Sequence, residues 1–154
     1  MSVIAGVKNH GESMIITLKI ELFFGGFSEE FEECIRIVEI ESSSNLEDLH
    51  FLIQDAVNFD NDHLYEFYLA ASERSRNKYR FDDENGGLYS VTLEELFPLP
   101  KNRKLFYLFD YGDCWQFRVT RTLAKPKIKE PGLKYPRVVK EIGSNPVQYP
   151  EYED

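Results

Sequence analysis

A chain of 154 residues with 42% hydrophobic and 14% aromatic composition can hide roughly two thirds of its unfolded surface, so one folded domain is expected and wholesale disorder is excluded. Its 18 Lys and Arg stand against 27 Asp and Glu, and the net charge of −9 disfavours nucleic acid as a partner because phosphate attraction grows with neutralising cations. No apolar run reaches the roughly 18 residues that a membrane span requires, and Cys34 and Cys114, 80 positions apart with no CxxC, give neither a zinc framework nor a disulfide pattern. Reduced thiols and a cytoplasmic location are expected.

In chain order, residues 1–13 carry no periodic pattern and are expected to be a flexible N-terminal segment ahead of a core domain over 14–123. From Met14 to Phe24, Met14, Ile16, Leu18, Ile20, Leu22 and Phe24 alternate with Thr17, Lys19 and Glu21, the period-two signature of a half-buried strand. Gly25-Gly26 frees the backbone for a turn, the acidic stretch Glu29 to Glu33 follows, and Cys34 to Ile40 reads as a second strand in an antiparallel hairpin. A helix begins at Asn45, whose side chain caps the first turn with Asp48 at the capping-box position. Its apolar stripe is Leu46, Leu49, Ile53, Ala56 and Val57, and His50 lies inside that stripe.

Beyond the helix, Phe59 to His63 is a polar knot before a third strand over Leu64 to Ala71, and the charged residues 72–90 read as a long loop. Thr92 caps a short helix over Leu93 to Phe97, stopped by Pro98 and Pro100. Leu105 to Phe109 is apolar on both faces and suits an interior strand, and Trp115, Phe117 and Val119 alternate with Gln116, Arg118 and Thr120 in the last strand. Past Thr122, five prolines argue against regular structure, so 124–154 is expected to wrap the domain or to be flexible. The fold class that follows is α+β: a single domain with a mixed or mainly antiparallel sheet of about five strands, one main helix and one short helix.

The densest chemistry lies in Phe109-Asp110-Tyr111-Gly112-Asp113-Cys114-Trp115, where two carboxylates, a glycine and a tryptophan share one strand connection. Gly112 is expected to supply a positive φ there. With His50, Asp60 and His63, the residues Asp110, Asp113 and Trp115 make a candidate polar cluster. Two imidazoles and several carboxylates suit a divalent metal or an acid–base pair, and they equally suit internal hydrogen bonding between helix and sheet. A second candidate surface is the basic strip at 121–140, where Arg121, Lys125, Lys127, Lys129, Lys134, Arg137 and Lys140 face only Glu130; it is expected to meet solvent or a partner.

Several of these motifs together resemble the plasmid pRiA4b ORF-3-like family, over roughly residues 14–150. Leu49-His50 on the first helix, Asp60 to Leu64 opening the next strand, the turn Phe109 to Trp115, Tyr135-Pro136-Arg137 and the Gly- and Pro-containing tail from Gly143 are similar to that family's ordered elements. The chain departs from the family pattern in two places. Glu32 to Arg36 keeps only the Arg of a Pro-x-x-Trp-Arg element, and Phe59 stands where a tryptophan usually follows the helix. The resemblance implies a bacterial protein and a fold, and no reaction.

Two functional readings follow. The first is a non-enzymatic binding or protein-interaction module, drawn from the Tyr-rich acidic surface and the proline-rich tail, with no cofactor and an unidentified protein partner. The second is a small divalent-metal-dependent hydrolase or nuclease using the His and Asp cluster. No P-loop, dinucleotide fingerprint or matched nucleophile and base supports a commoner enzyme class.

Overall fold

The computed structural model describes residues 13–25 and 32–149; the N-terminal segment before Ser13, the stretch 26–31 that includes Gly26 and the start of the acidic run, and residues 150–154 lie outside them. Among the described residues, seven strands and two helices form one α+β unit: β1 (Ile15–Phe24), β2 (Ile35–Glu41), α1 (Leu46–Val57), β3 (Tyr65–Ala70), β4 (Tyr79–Phe81), α2 (Leu93–Leu96), β5 (Lys104–Phe109), β6 (Trp115–Arg121) and β7 (Arg137–Ile142). The strands make a single sheet in the order β4-β3-β5-β6-β1-β2-β7, with every neighbouring pair antiparallel.

The sheet thus has seven strands rather than about five, and the two additions are its edges. β4 is three residues long inside the charged 72–90 segment, too short for periodicity to register. β7 falls where the prolines argued against regular structure. Pro136 and Pro146 flank that strand rather than interrupt it, and an edge strand has one side free of ladder bonds, so proline is tolerated at its borders.

Alternation sets the two faces. Ile16, Leu18, Ile20 and Leu22 of β1, Leu105, Tyr107 and Phe109 of β5, and Trp115, Phe117 and Val119 of β6 turn to one side. There they form the main core with Leu46, Leu49, Ile53 and Val57 of α1 and Leu93 and Leu96 of α2. β5 is apolar on both sides because a smaller cluster occupies the other face, where Phe106 stacks on Tyr68 with ring centroids 5.0 Å apart and Phe23 meets it edge-on at 5.6 Å. The capping box of α1 forms as its sequence dictates. Asn45 accepts from the Asp48 amide at 2.8 Å, Asp48 accepts from the Asn45 amide at 3.0 Å, and Asn58 ends the helix in the left-handed region at φ 58°.

One buried cation ties the periphery to this frame. Arg36 is fully buried against α1. Its guanidinium donates to the Ala56 carbonyl at 3.1 Å, to Ile35 and Gly143 carbonyls at 2.9 and 3.0 Å, and to Asn145 Oδ1 at 2.7 Å. A planar five-donor group can serve a helix end, two strands and the tail at once, which an ammonium could not.

Candidate functional site

β3 and β5 run side by side with Tyr65 opposite Phe109, so the polar knot that precedes β3 and the turn that follows β5 meet at one corner of the sheet. The turn is built by Asp110. Its Oδ1 accepts the amides of Gly112 and Asp113 at 3.0 and 3.3 Å, and its carbonyl accepts the Cys114 amide. The left-handed residues are Asp110 at φ 63° and Cys114 at φ 55°, and Gly112 is not among them. The expected role of Gly112 is therefore corrected: an aspartate whose side chain bonds its own turn tolerates that conformation, and the glycine does not supply it.

The corner gathers His63, Asp110 and two residues that sequence reasoning missed. Tyr149 donates its hydroxyl to Asp62 Oδ2 at 2.6 Å and sits 2.8 Å from His63 Nε2, which lies 3.4 Å from Asp110 Oδ2 and 3.6 Å from Asp62 Oδ1. With the tyrosine hydrogen committed to Asp62, His63 Nε2 donates to the hydroxyl oxygen. Gln148 clamps the same knot by accepting from the Asp60 amide at 2.6 Å and donating to the Asp60 carbonyl at 3.1 Å. The Tyr149 hydrogen bond draws the Asp62 carboxyl below its usual range, and the same bond pushes the phenol up to about 12. Nothing in the local sequence around Gln148 and Tyr149 announces this, because their partners are 86 to 88 positions away.

His50 belongs to a different constellation. It is 1% exposed, stacked flush on Tyr65 with ring centroids 3.6 Å apart, and both ring nitrogens are engaged. Nε2 is 2.8 Å from Asn61 Oδ1, an oxygen that can only accept, so Nε2 carries the hydrogen. Nδ1 then accepts from the Tyr107 hydroxyl at 2.6 Å, and that hydroxyl accepts from Gln54 Nε2 at 2.9 Å. The directional relay Gln54 to Tyr107 to His50 to Asn61 fixes a neutral imidazole. Burial presses its pKa down from the ordinary value to about 4, with the Asn61 bond opposing. Gln54, four positions after His50 and buried on the same helix, is a sequence signal for this network that went unread.

The candidate residues thus divide. His63 and Asp110 meet; His50 and His63 share Phe109 as a ring neighbour, at 6.2 and 5.9 Å, without bonding to each other. Asp60 enters through its backbone. Asp113 contributes its amide to the turn. Trp115 is a core residue packed edge-on against Phe59 at 5.0 Å, and its Nε1 has no partner among the described residues. Among the described residues no three His, Cys, Asp or Glu side chains are placed to hold a metal ion.

Much of the basic strip turns inward, onto β2. Lys127 and Arg137 lie 2.5 and 2.6 Å from the two oxygens of Glu39, and Lys129 lies 2.5 Å from Glu41. Burial alone would raise the Glu39 carboxyl, but the hydrogen bonds from Lys127 and Arg137 outweigh it and hold the group below its usual range. Arg121, Lys125, Lys134 and Lys140 form no ion pair among the described residues.

Comparison with known proteins agrees with the geometry on fold and is silent on chemistry. Residues 15–148 match the model of the family described as plasmid pRiA4b ORF-3-like protein, and the chain belongs to that family. The crystal structure of a protein of unknown function from Methanosarcina mazei Go1 superposes with a TM-score of 0.64 at 23% identity, covering 84% of this chain and 70% of that one. No curated protein matches the chain. No helix among the described residues is long and apolar enough to cross a membrane.

Proposed function

We propose that this member of the plasmid pRiA4b ORF-3-like family is a non-enzymatic interaction module that presents the corner formed by residues 60–64, 110–113 and 147–149 to a basic protein partner. The observation that carries this reading is the exposure of large side chains around a pinned polar centre. Leu64, Tyr111 and Tyr149 are 60%, 45% and 50% exposed, while the His63, Asp110, Asp62 and Tyr149 bonds hold the corner in one shape. Tyrosines of low rotamer entropy on a preorganised surface are the side chains that most often anchor interfaces. The carboxylates of Asp60, Asp62 and Asp113 around them favour a partner rich in Lys and Arg. On this reading His50 is a structural group, His63 orients Tyr149, and the chain needs no cofactor.

The test is site-specific photocrosslinking from positions 64 and 111 in the source cells, followed by reconstitution of the captured protein with the purified chain. A basic partner is expected whose affinity falls about tenfold or more on Leu64→Asp or Tyr111→Ala and weakens as salt is raised. Crosslinks no stronger than those from a position on the opposite end of the sheet, or a partner indifferent to both substitutions, would overturn the reading.

A further inference from the structure

The end of the sheet opposite the acidic corner carries two cavities, and Arg103 lines both. The first, about 490 Å³, is lined by Leu69, Asn77, Lys78, Tyr79, Pro100 and Arg103. The second, about 340 Å³, is lined by Phe97, Pro98 and Leu99 together with Arg103, Lys104 and Arg121. Their sizes fall in the range of small-molecule sites, and their linings combine apolar side chains with a few polar groups, as such sites do.

Register explains why cations gather here. Lys104 starts β5 opposite Ala70 at the end of β3, Leu105 pairs Val119, and Arg121 closes β6 two positions later. Arg103 is held at the turn into β5 by its amide, which donates to the Pro100 carbonyl at 3.1 Å, with Asn102 in the left-handed region at φ 62°. In a chain of net charge −9, no described carboxylate pairs with these cations. None of the ion pairs among the described residues involves Arg103, Lys104 or Arg121, and no carboxylate lines either cavity. Lys127, Lys129 and Arg137, by contrast, are all neutralised within the fold. The Arg103 guanidinium donates Nη1 to the Asn102 carbonyl at 3.3 Å, which leaves its other donors for a ligand. Apolar walls beside guanidinium and ammonium groups that have no ion pair among the described residues complement a ligand with an apolar body and one anionic end, and a guanidinium matches carboxylate and phosphate oxygens two at a time.

We propose that the Arg103 groove is a binding site for a small amphipathic anion, a carboxylate or phosphate monoester on an apolar body, with Arg103 reading the charge and the Phe97 to Leu99 wall taking the apolar part. The probes are octanoate, octyl phosphate and the neutral octanamide, titrated into the isotopically labelled full chain while backbone amide shifts are followed. Both anions are expected to shift amides within 97–104 and 119–122 and to bind about tenfold or more tightly than octanamide. Arg103→Gln and, separately, Lys104→Gln should reduce that preference while leaving the melting temperature unchanged, since neither side chain is buried or ion-paired. Whichever anion binds more tightly identifies the headgroup. The proposal fails if octanamide binds as well as the anions, if Arg103→Gln binds like the wild type, if the shifts fall outside the groove, or if none occur up to about 10 mM.

Discussion

At the scale of single residues, the neutral state of His50 makes stability depend on pH in a defined direction. Its folded pKa of about 4 lies below the ordinary value of 6.5, so between those values the unfolded chain binds more protons than the folded one. The His50 contribution is complete above pH 6.5 and is lost as pH falls toward 4, roughly 3 kcal/mol in all. The relay states the cause in atoms: a second ring hydrogen on Nδ1 would confront the Tyr107 hydroxyl hydrogen, which Gln54 prevents from turning toward it. His50→Leu should cost about 1–3 kcal/mol at pH 7.5, because Tyr107 and Asn61 each lose a buried partner, and chemical denaturation across pH should show the gap to wild type closing toward pH 4. A gap that stays constant would contradict the relay. Two glycines make a second pair of expectations. Gly143 has φ 85°, and a β-carbon there would collide with the Glu33 carbonyl, so Gly143→Ala should lose about 2 kcal/mol or more. Gly112 lacks a positive φ, and its added β-carbon would meet only Asp110 Oδ1 at 3.3 Å, so Gly112→Ala should remain within about 1 kcal/mol of wild type by the same measurement.

At the scale of elements, Arg36 decides how firmly the last strand and tail are held. Its donors reach the Ala56 carbonyl at the end of α1, the Ile142 and Gly143 carbonyls at the end of β7 and Asn145 beyond it. Arg36→Ala would take a donor from the buried Ala56 and Ile35 carbonyls and from the half-buried acceptors at 142, 143 and 145, with an expected loss of about 3–5 kcal/mol. Hydrogen exchange should then quicken in β7 well before β5, because β7 has one neighbour and β5 has two. Arg36→Lys should recover only part of the loss, since an ammonium cannot span these acceptors. The same elements show what sequence could and could not disclose. The β1 and β2 hairpin, α1 with its capping box, and β5 as an interior strand were legible because each is specified by local alternation, a helical stripe or a cap. β4 and β7 were not, since short edge strands are made by the neighbour they join. At the corner, His63 and Asp110 were legible as polar residues bracketing adjacent strands, whereas Gln148 and Tyr149 arrive through a tail whose path no local pattern encodes.

At the scale of the whole molecule, charge is sorted rather than mixed. Acidic side chains gather at the β3 start and β5 turn, cations with no ion pair among the described residues at the opposite end of the same strands, and the basic strip folds against β2. The strip has a net positive sequence, yet Glu39 and Glu41 already engage Lys127, Lys129 and Arg137, so its field is weaker outside the protein than its composition suggests. Duplex binding needs several phosphates neutralised together, each adding to the slope of log affinity against log salt. Wild-type protein in a fluorescence anisotropy titration should therefore show no salt-dependent duplex affinity at about 50 mM salt. A variant with Glu39→Gln and Glu41→Gln frees the three paired cations, and any duplex affinity that emerges should emerge there first, with a slope near the number of phosphates engaged. Steep salt-dependent binding by the wild type would instead mean that Arg121, Lys125, Lys134 and Lys140 suffice alone, and the inward pairing of the strip would not govern what this surface meets.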